Sequence, residues 1–263
     1  MERFVKMDFK RFIKVHKLFD VALILGVIIA LNHFVEAVLT AGYDAYDIPG
    51  NAYISWLGGS FFYSQSFWFY FVLPLVASVA VGIDYGILRK KNYFYQYRVR
   101  MTVKKYVLIQ GLKVFSLGFF VVVIPLVLSF VLTMMERPLL YPDPLVAIGP
   151  LSDEIGAELF YVHPMVYTVL YILFDGLFAG AVALFTVELC VIIENYFIAI
   201  IIPFAIYYLL YTMDGLFDGF AFQLNRVLTP VLGVKDVTGY IVVFVFIIFS
   251  VIGWVGIGRK EEL

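Results

Sequence analysis

Long apolar stretches alternate with short polar ones along the chain, and the apolar stretches match the thickness of a bilayer. A hydrocarbon core takes about 20 residues of helix. Six segments meet or approach that length: 19–40, 66–88, 107–134, 165–189, 195–213 and 238–258. Only a few polar residues around "ENY" separate the fourth from the fifth, so these two must form a tight helical hairpin. The intervening segment 135–164 is rich in proline (Pro138, Pro142, Pro144, Pro150) and in acid, and reads as a structured loop at best. Residues 214–236 are semi-apolar but too short and too interrupted to span twice. A short re-entrant or surface helical hairpin fits them.

Composition agrees with the pattern. Of 263 residues, 63% are hydrophobic and 15% charged, against about 45–50% and about 25% in an average soluble domain. The mean hydropathy is +0.94. The expected fold is an all-α membrane protein of six transmembrane helices at residues 19–263, with an amphipathic interfacial helix at 1–18 and a short re-entrant helical region before the last span. The N-terminus does not read as a cleavable signal peptide, because its apolar run is long enough to span and no small-residue cleavage site follows. A single cysteine, Cys190, excludes an intramolecular disulfide framework. His16, His33 and His163 are far apart in sequence and give no metal-ligand cluster.

Charge then orients the spans. Lys and Arg concentrate in the N-terminal segment, in the stretch after span two with the start of span three, and at Arg259 and Lys260. The alternate loops, 41–65, 135–164 and 214–237, hold only Arg137, Arg226 and Lys235. The partition is sixteen against three. By the positive-inside rule both termini are cytoplasmic, those three loops are external, and the chain is multi-pass in the cell (plasma or cytoplasmic) membrane. Residues 3–17 gather their lysines in one arc and Val5, Phe9 and Phe12 on another face, the pattern of a helix lying in anionic headgroups.

The stretch 89–106, "RKKNYFYQYRVRMTVKKY", holds seven basic residues and four tyrosines without an acid. It is a topology anchor on the plain reading, and a docking element for a cytoplasmic partner on the functional one, since Tyr and Arg are favoured at interfaces. Nucleic acid is not the expected partner of a segment pinned to a membrane. Glu188 and Glu194, at the turn between spans four and five, either meet this basic loop or a partner, or are simply hydrated. Asp175 falls about ten residues into span four, near the midplane, where an acid should face protein or water. It is either a buried structural group or one lining a path or moving interface. Gly176 and Gly180 beside it form a G-x-x-x-G spacing that supports tight packing.

The sequence has no G-x-x-x-x-G-K-[ST], H-E-x-x-H, G-x-S-x-G or C-x-x-C. Uphill transport would therefore draw energy from a partner or an ion gradient. A gradient-driven carrier is expected to show an internal repeat with broken helices, and no clear repeat of the two halves is seen.

In layout the chain resembles the membrane-spanning permease subunit of an ABC-2 type transporter, an ABC exporter. The local likeness lies in "NYFIAIIIPF", where Asn195, Tyr196, Ala199 and Pro203 match the entry to span five. It lies also in "YFYQYRVRMTVKKYVLIQGLKV", with Lys105, Tyr106 and Lys113 at the approach to span three. The resemblance implies that two permease chains pair, as a homodimer or with a sister chain, and that each docks on a separate ATP-binding subunit. ATP and Mg belong to that subunit, and this chain carries no cofactor, no metal and no catalytic residue of its own. It implies a coupling helix within 89–106, with Tyr93, Tyr95, Tyr97, Arg98 and Arg100 making the contact and Glu188 and Glu194 a second one. Residues 1–18 become the elbow helix, and Asp175, Gly176 and Gly180 line the path or the dimer seam. The cargo would be hydrophobic or amphipathic: a peptide, lipid or drug. The competing readings are a stand-alone immunity or accessory membrane protein that binds a toxin or another membrane complex, and a membrane-embedded hydrolase. The lack of paired acids and histidines disfavours the hydrolase.

Overall fold

Backbone that crosses oil must satisfy its own N–H and C=O groups, so apolar spans become helices. The computed structural model describes residues 17–40, 51–60, 63–90, 102–144, 149–193, 195–214 and 224–260. Among these the elements are α1 (Lys17–His33, continued by a π-helical segment, Phe34–Thr40), α2 (Ala52–Ser55), α3 (Ser64–Lys90), α4 (Val103–Glu136) and α5 (Ala157–Val162). They continue with α6 (Pro164–Ile192), α7 (Tyr196–Asp214), α8 (Leu224–Leu228) and α9 (Thr238–Lys260). Five are long and apolar enough to cross a membrane: α1 with its π-helical extension, α3, α4, α6 and α9. The apolar part of α7, Tyr196–Thr212, is shorter. The expected helix at 1–18 lies, but for its last two residues, outside the described residues.

Side-chain pairs give the helix directions. Tyr70 meets Asp175 and Gly82 meets Cys190, so α3 and α6 are parallel. Gly176 lies on Phe119 and Val123, and Gly180 on Phe115, so α4 runs against α6. Gly26 faces Pro125 and the Arg137 guanidinium donates to the Val38 carbonyl, so α1 follows α4. Gly82 lies on Ile200 and Gly86 on Tyr196, which sets α7 against α3. Tyr171 meets Tyr240 and Glu188 meets Gly253, which sets α9 along α6. Direction therefore alternates from each long helix to the next. One end of the bundle, the cap end, carries α2, α5 and α8.

The bundle is built around α6, which packs against α3, α4, α5, α7 and α9. Its buried small residues, Gly176, Ala179, Gly180 and Ala183, let α4 approach closely, and Phe115, Phe119 and Val123 of α4 fill the space. Both glycines of the G-x-x-x-G are thus covered within the chain. The periphery is apolar: Ile24, Leu25, Ile28 and Val35 on α1, and Phe244, Ile248, Phe249 and Ile252 on α9, are exposed. Several polar side chains sit inside and bond to nearby backbone or to each other. The Thr186 hydroxyl reaches the Val182 carbonyl at 2.8 Å and Ser78 Oγ at 2.9 Å, and Thr133 bonds the Ser129 carbonyl at 2.8 Å. This inversion of the soluble pattern is what lipid as solvent requires.

The cap is tied together by hydrogen bonds between loops distant in sequence. Asn51 caps α2 by accepting from Tyr53 N at 2.8 Å, and its amide donates to the Leu140 carbonyl at 2.7 Å. Leu57 N donates to Ser129 Oγ at 3.0 Å, and the Ser66 hydroxyl donates to the Leu57 carbonyl. The expected loop 135–164 contains α5, which starts after Gly156 in the left-handed region (φ 85) that favours glycine. Ile155 N donates to the Val234 carbonyl at 3.0 Å and Tyr161 to the Pro150 carbonyl at 3.0 Å. Of the expected helical hairpin at 214–236, the described part is α8 and the turns after it, with Val227 and Leu228 fully buried. Residues 215–223 lie outside the described residues.

At the cap surface Lys235 Nζ and Asp153 Oδ2 are 2.5 Å apart. The hydrogen bond from Lys235 holds the Asp153 carboxyl below its ordinary value, and the same bond holds Lys235 above its own. The Asp153 contribution is present above the unfolded carboxyl value and is lost as pH falls through the lower folded one. The Lys235 contribution is present below the unfolded amine value and is lost as pH rises through the higher folded one. Both side chains are more than half exposed, so water and salt screen the pair. The thermal midpoint of Lys235→Met should match that of the parent within repeat error near neutral pH. A large drop would show that this pair holds the cap.

Candidate functional site: a buried carboxyl among tyrosines

Three helices build the surroundings of Asp175. Position 175 is the face of α6 that also carries Tyr167 and Tyr171, because residues four apart share a helix face. Asp175 has no exposed surface. Its Oδ2 accepts from the Tyr70 hydroxyl of α3 at 3.3 Å. Tyr207 of α7 donates to the Tyr70 carbonyl at 3.3 Å, which fixes the residue that holds the carboxyl. Among the described residues Oδ1 has no hydrogen-bond partner. A carboxyl oxygen left unmatched in a packed interior is costly and points to a role beyond packing.

Toward the cap the hydroxyls continue. The Tyr171 and Tyr240 hydroxyl oxygens are 2.5 Å apart, and the Tyr167 hydroxyl donates to the Pro230 carbonyl at 2.6 Å. The rings of Tyr167 and Tyr171 lie 4.7 Å apart. The sequence reading singled out Asp175 but not Tyr70, Tyr171, Tyr207 or Tyr240. The 167/171/175 spacing was a visible signal for Tyr171, whereas the partners on α3, α7 and α9 have no signal in one dimension.

Glu188, expected at a boundary contact, is buried near the opposite end of α6. Its Oε2 lies against Gly253 of α9, where an added Cβ would come within 2.7 Å. Among the described residues its Oε1 has no hydrogen-bond partner, while the Trp254 indole next to Gly253 donates to the Val107 carbonyl of α4 at 2.8 Å. Glu188 thus joins α6 to α9 inside the bundle. Glu194 and the expected coupling residues Tyr93, Tyr95, Tyr97, Arg98 and Arg100 lie outside the described residues.

The "NYFIAIIIPF" segment has a local physical account. Asn195 Oδ1 accepts from Phe197 N at 3.0 Å and so caps α7. Tyr196 packs where Gly86 of α3 leaves room, Ala199 is fully buried, and Pro203 sits inside the helix. Proline has no N–H to offer the carbonyl four residues back, that of Ala199, which permits a bend there. His33, the last residue of α1 before the π-helical segment, was not singled out beyond its distance from other histidines. It is fully buried with its ring edge-on to Tyr63 at 5.6 Å, and among the described residues neither imidazole nitrogen has a hydrogen-bond partner.

No group of three or more His, Cys, Asp or Glu side chains is placed to hold a metal ion among the described residues. The fold and its apolar periphery define a class, the all-helical multi-pass membrane protein. Compared with protein-family models, curated proteins and solved structures, the chain finds no match in any of the three.

Proposed function

We propose that the chain is the permease subunit of an ATP-driven exporter of the ABC-2 kind. In this reading it lines the path for a hydrophobic or amphipathic cargo and couples to a separate ATP-binding subunit through 89–106. Six spans, with the shorter α7 counted as the fifth, leave both termini on the cytoplasmic side. The observation that carries the reading is the charge partition. Alternating helix directions bring the helix ends beside every strongly basic segment to one end of the bundle, away from the cap. In sequence, sixteen of the Lys and Arg residues fall in the segments that lead into or out of those helix ends, and three in the segments between the others. Such a surface suits both the membrane rule and an energy-supplying partner. The tight connection from α6 to α7 fits the same layout.

The test is purification from the native host with mass-spectrometric identification of partners. A nucleotide-binding ATPase of a separate chain should co-purify. Arg98→Glu with Arg100→Glu should leave membrane insertion intact while uncoupling ATP hydrolysis from transport. If no ATPase accompanies the protein and its activity survives loss of every candidate ATPase, the exporter reading fails and the stand-alone accessory reading takes its place.

A further inference from the structure

Asp175 combines complete burial with an unmatched oxygen, so whatever it binds must reach it through packed protein. We propose that Asp175 is a proton-binding site supplied from the cap end by the hydroxyls of Tyr167, Tyr171 and Tyr240. The inference goes beyond the exporter reading and needs no ATP-binding partner.

The geometry orders the steps. Tyr167, at the cap end of α6, donates to the Pro230 carbonyl and packs its ring 4.7 Å from that of Tyr171, whose hydroxyl is hydrogen-bonded to Tyr240 on α9. Glu154, half-buried in the cap, accepts from Leu151 N at 2.5 Å and packs against Gly233. Asp175 lies one further helical turn along α6, about 6 Å of rise beyond Tyr171, and the proposed path includes one water in that turn.

The groups around Asp175 come from each packed element. They are Tyr70 on α3, Tyr207 on α7, Tyr240 on α9 and Tyr171 on α6 itself, while α4 presents Phe119 and Val123 at the adjoining Gly176. All are uncharged hydroxyls or apolar groups, so Asp175 is the one carboxyl in this part of the described interior.

In the transfer a proton from water at the cap passes to the first hydroxyl, each hydroxyl gives up its own proton as it receives one, and the last reaches Asp175 Oδ1. The balance is one proton lost by solvent and one gained by the carboxylate. Every tyrosine ends as it began. Occupancy changes what Oδ1 offers its neighbours, from acceptor to donor. That ties the packing of α3, α6, α7 and α9 to proton supply.

The experiment uses the full chain in lipid nanodiscs. Infrared spectra across a pH series should show a titrating carboxyl band that disappears in Asp175→Asn and shifts in Asp175→Glu. Hydrogen–deuterium exchange at that band should slow about a hundredfold in Tyr171→Phe, the low end for losing a positioned proton-transfer group. Tyr240→Phe should slow it as well, and Tyr161→Phe, off the string, should not. Asp175 with no titrating band overturns the proposal. So does exchange that is unchanged in both Tyr171→Phe and Tyr240→Phe, since these variants leave the carboxyl in place and separate a relay from mere packing.

Discussion

Trp56→Ala costs the folded chain about 3–5 kcal/mol, the range for removing a fully buried large aromatic. The indole is 1% exposed and lies at the centre of the cap. It donates to the Tyr53 carbonyl at 3.0 Å and meets the Phe130 ring of α4 edge-on at 5.5 Å. Gly58 and Gly59 lie so close to it that a Cβ at either would fall within 2.8 Å of the ring. Truncation removes the body around which residues 51–60 wrap, and the segment cannot collapse far because Asn51 and Leu57 are tied to Leu140 and Ser129. Trp56→Phe keeps most of the volume and should recover more than half of the loss. Chemical unfolding in mild detergent, followed by near-ultraviolet circular dichroism, measures both variants. Equal stability of Trp56→Ala and the parent would show that the cap does not contribute to holding the helices.

Gly118→Ala lowers stability by about 1–3 kcal/mol, the scale of overpacking a filled contact. A Cβ there would stand 2.5 Å from Ala183 Cβ, 2.6 Å from the Ala179 carbonyl oxygen and 3.1 Å from Gly180 Cα. Those atoms are backbone or one bond from it, so no rotamer change relieves the overlap and α4 must move away from α6. The control is Gly256→Ala on α9, where an added Cβ meets nothing within 4 Å. Helix propensity alone favours Ala over Gly by about 1 kcal/mol, so that variant should be neutral or better. The opposite signs of two identical substitutions separate packing from propensity. If Gly118→Ala behaves like Gly256→Ala, the close approach of α4 and α6 is not what seals the bundle core.

The apolar helices were legible from hydrophobic runs because lipid allows the backbone few alternatives to helix, although among the described residues only five of the six expected spans are long and apolar enough to cross. The expected boundaries 66–88, 195–213 and 238–258 differ by two residues or fewer from Ser64–Lys90, Tyr196–Asp214 and Thr238–Lys260. Asn195 and Pro203 were also readable, since capping and a missing N–H act within one turn. The π-helical Phe34–Thr40, α2 and α5 were not, because such short elements are held by contacts far away in sequence. Asn51 depends on Leu140, and Ile155 on Val234. Gly176 and Gly180 were flagged as a close-packing pair, but which helix fills them depends on the three-dimensional order of helices. Nothing in the one-dimensional pattern marks Phe115 and Phe119 as that filling.

By itself the sequence determined the class of solvent, the length of the long apolar helices and the clustering of positive charge. Each of these follows from transfer of local groups between water and oil, which is additive along the chain. Only the tertiary structure decided that Asp175 faces Tyr70 and leaves Oδ1 unmatched, that Glu188 is buried against α9, and that a string of hydroxyls leads inward from the cap. Those facts depend on which helix faces come together. In an apolar environment every helix face is equally compatible with lipid, so shape and a few polar contacts, rather than hydrophobic pattern, make the choice.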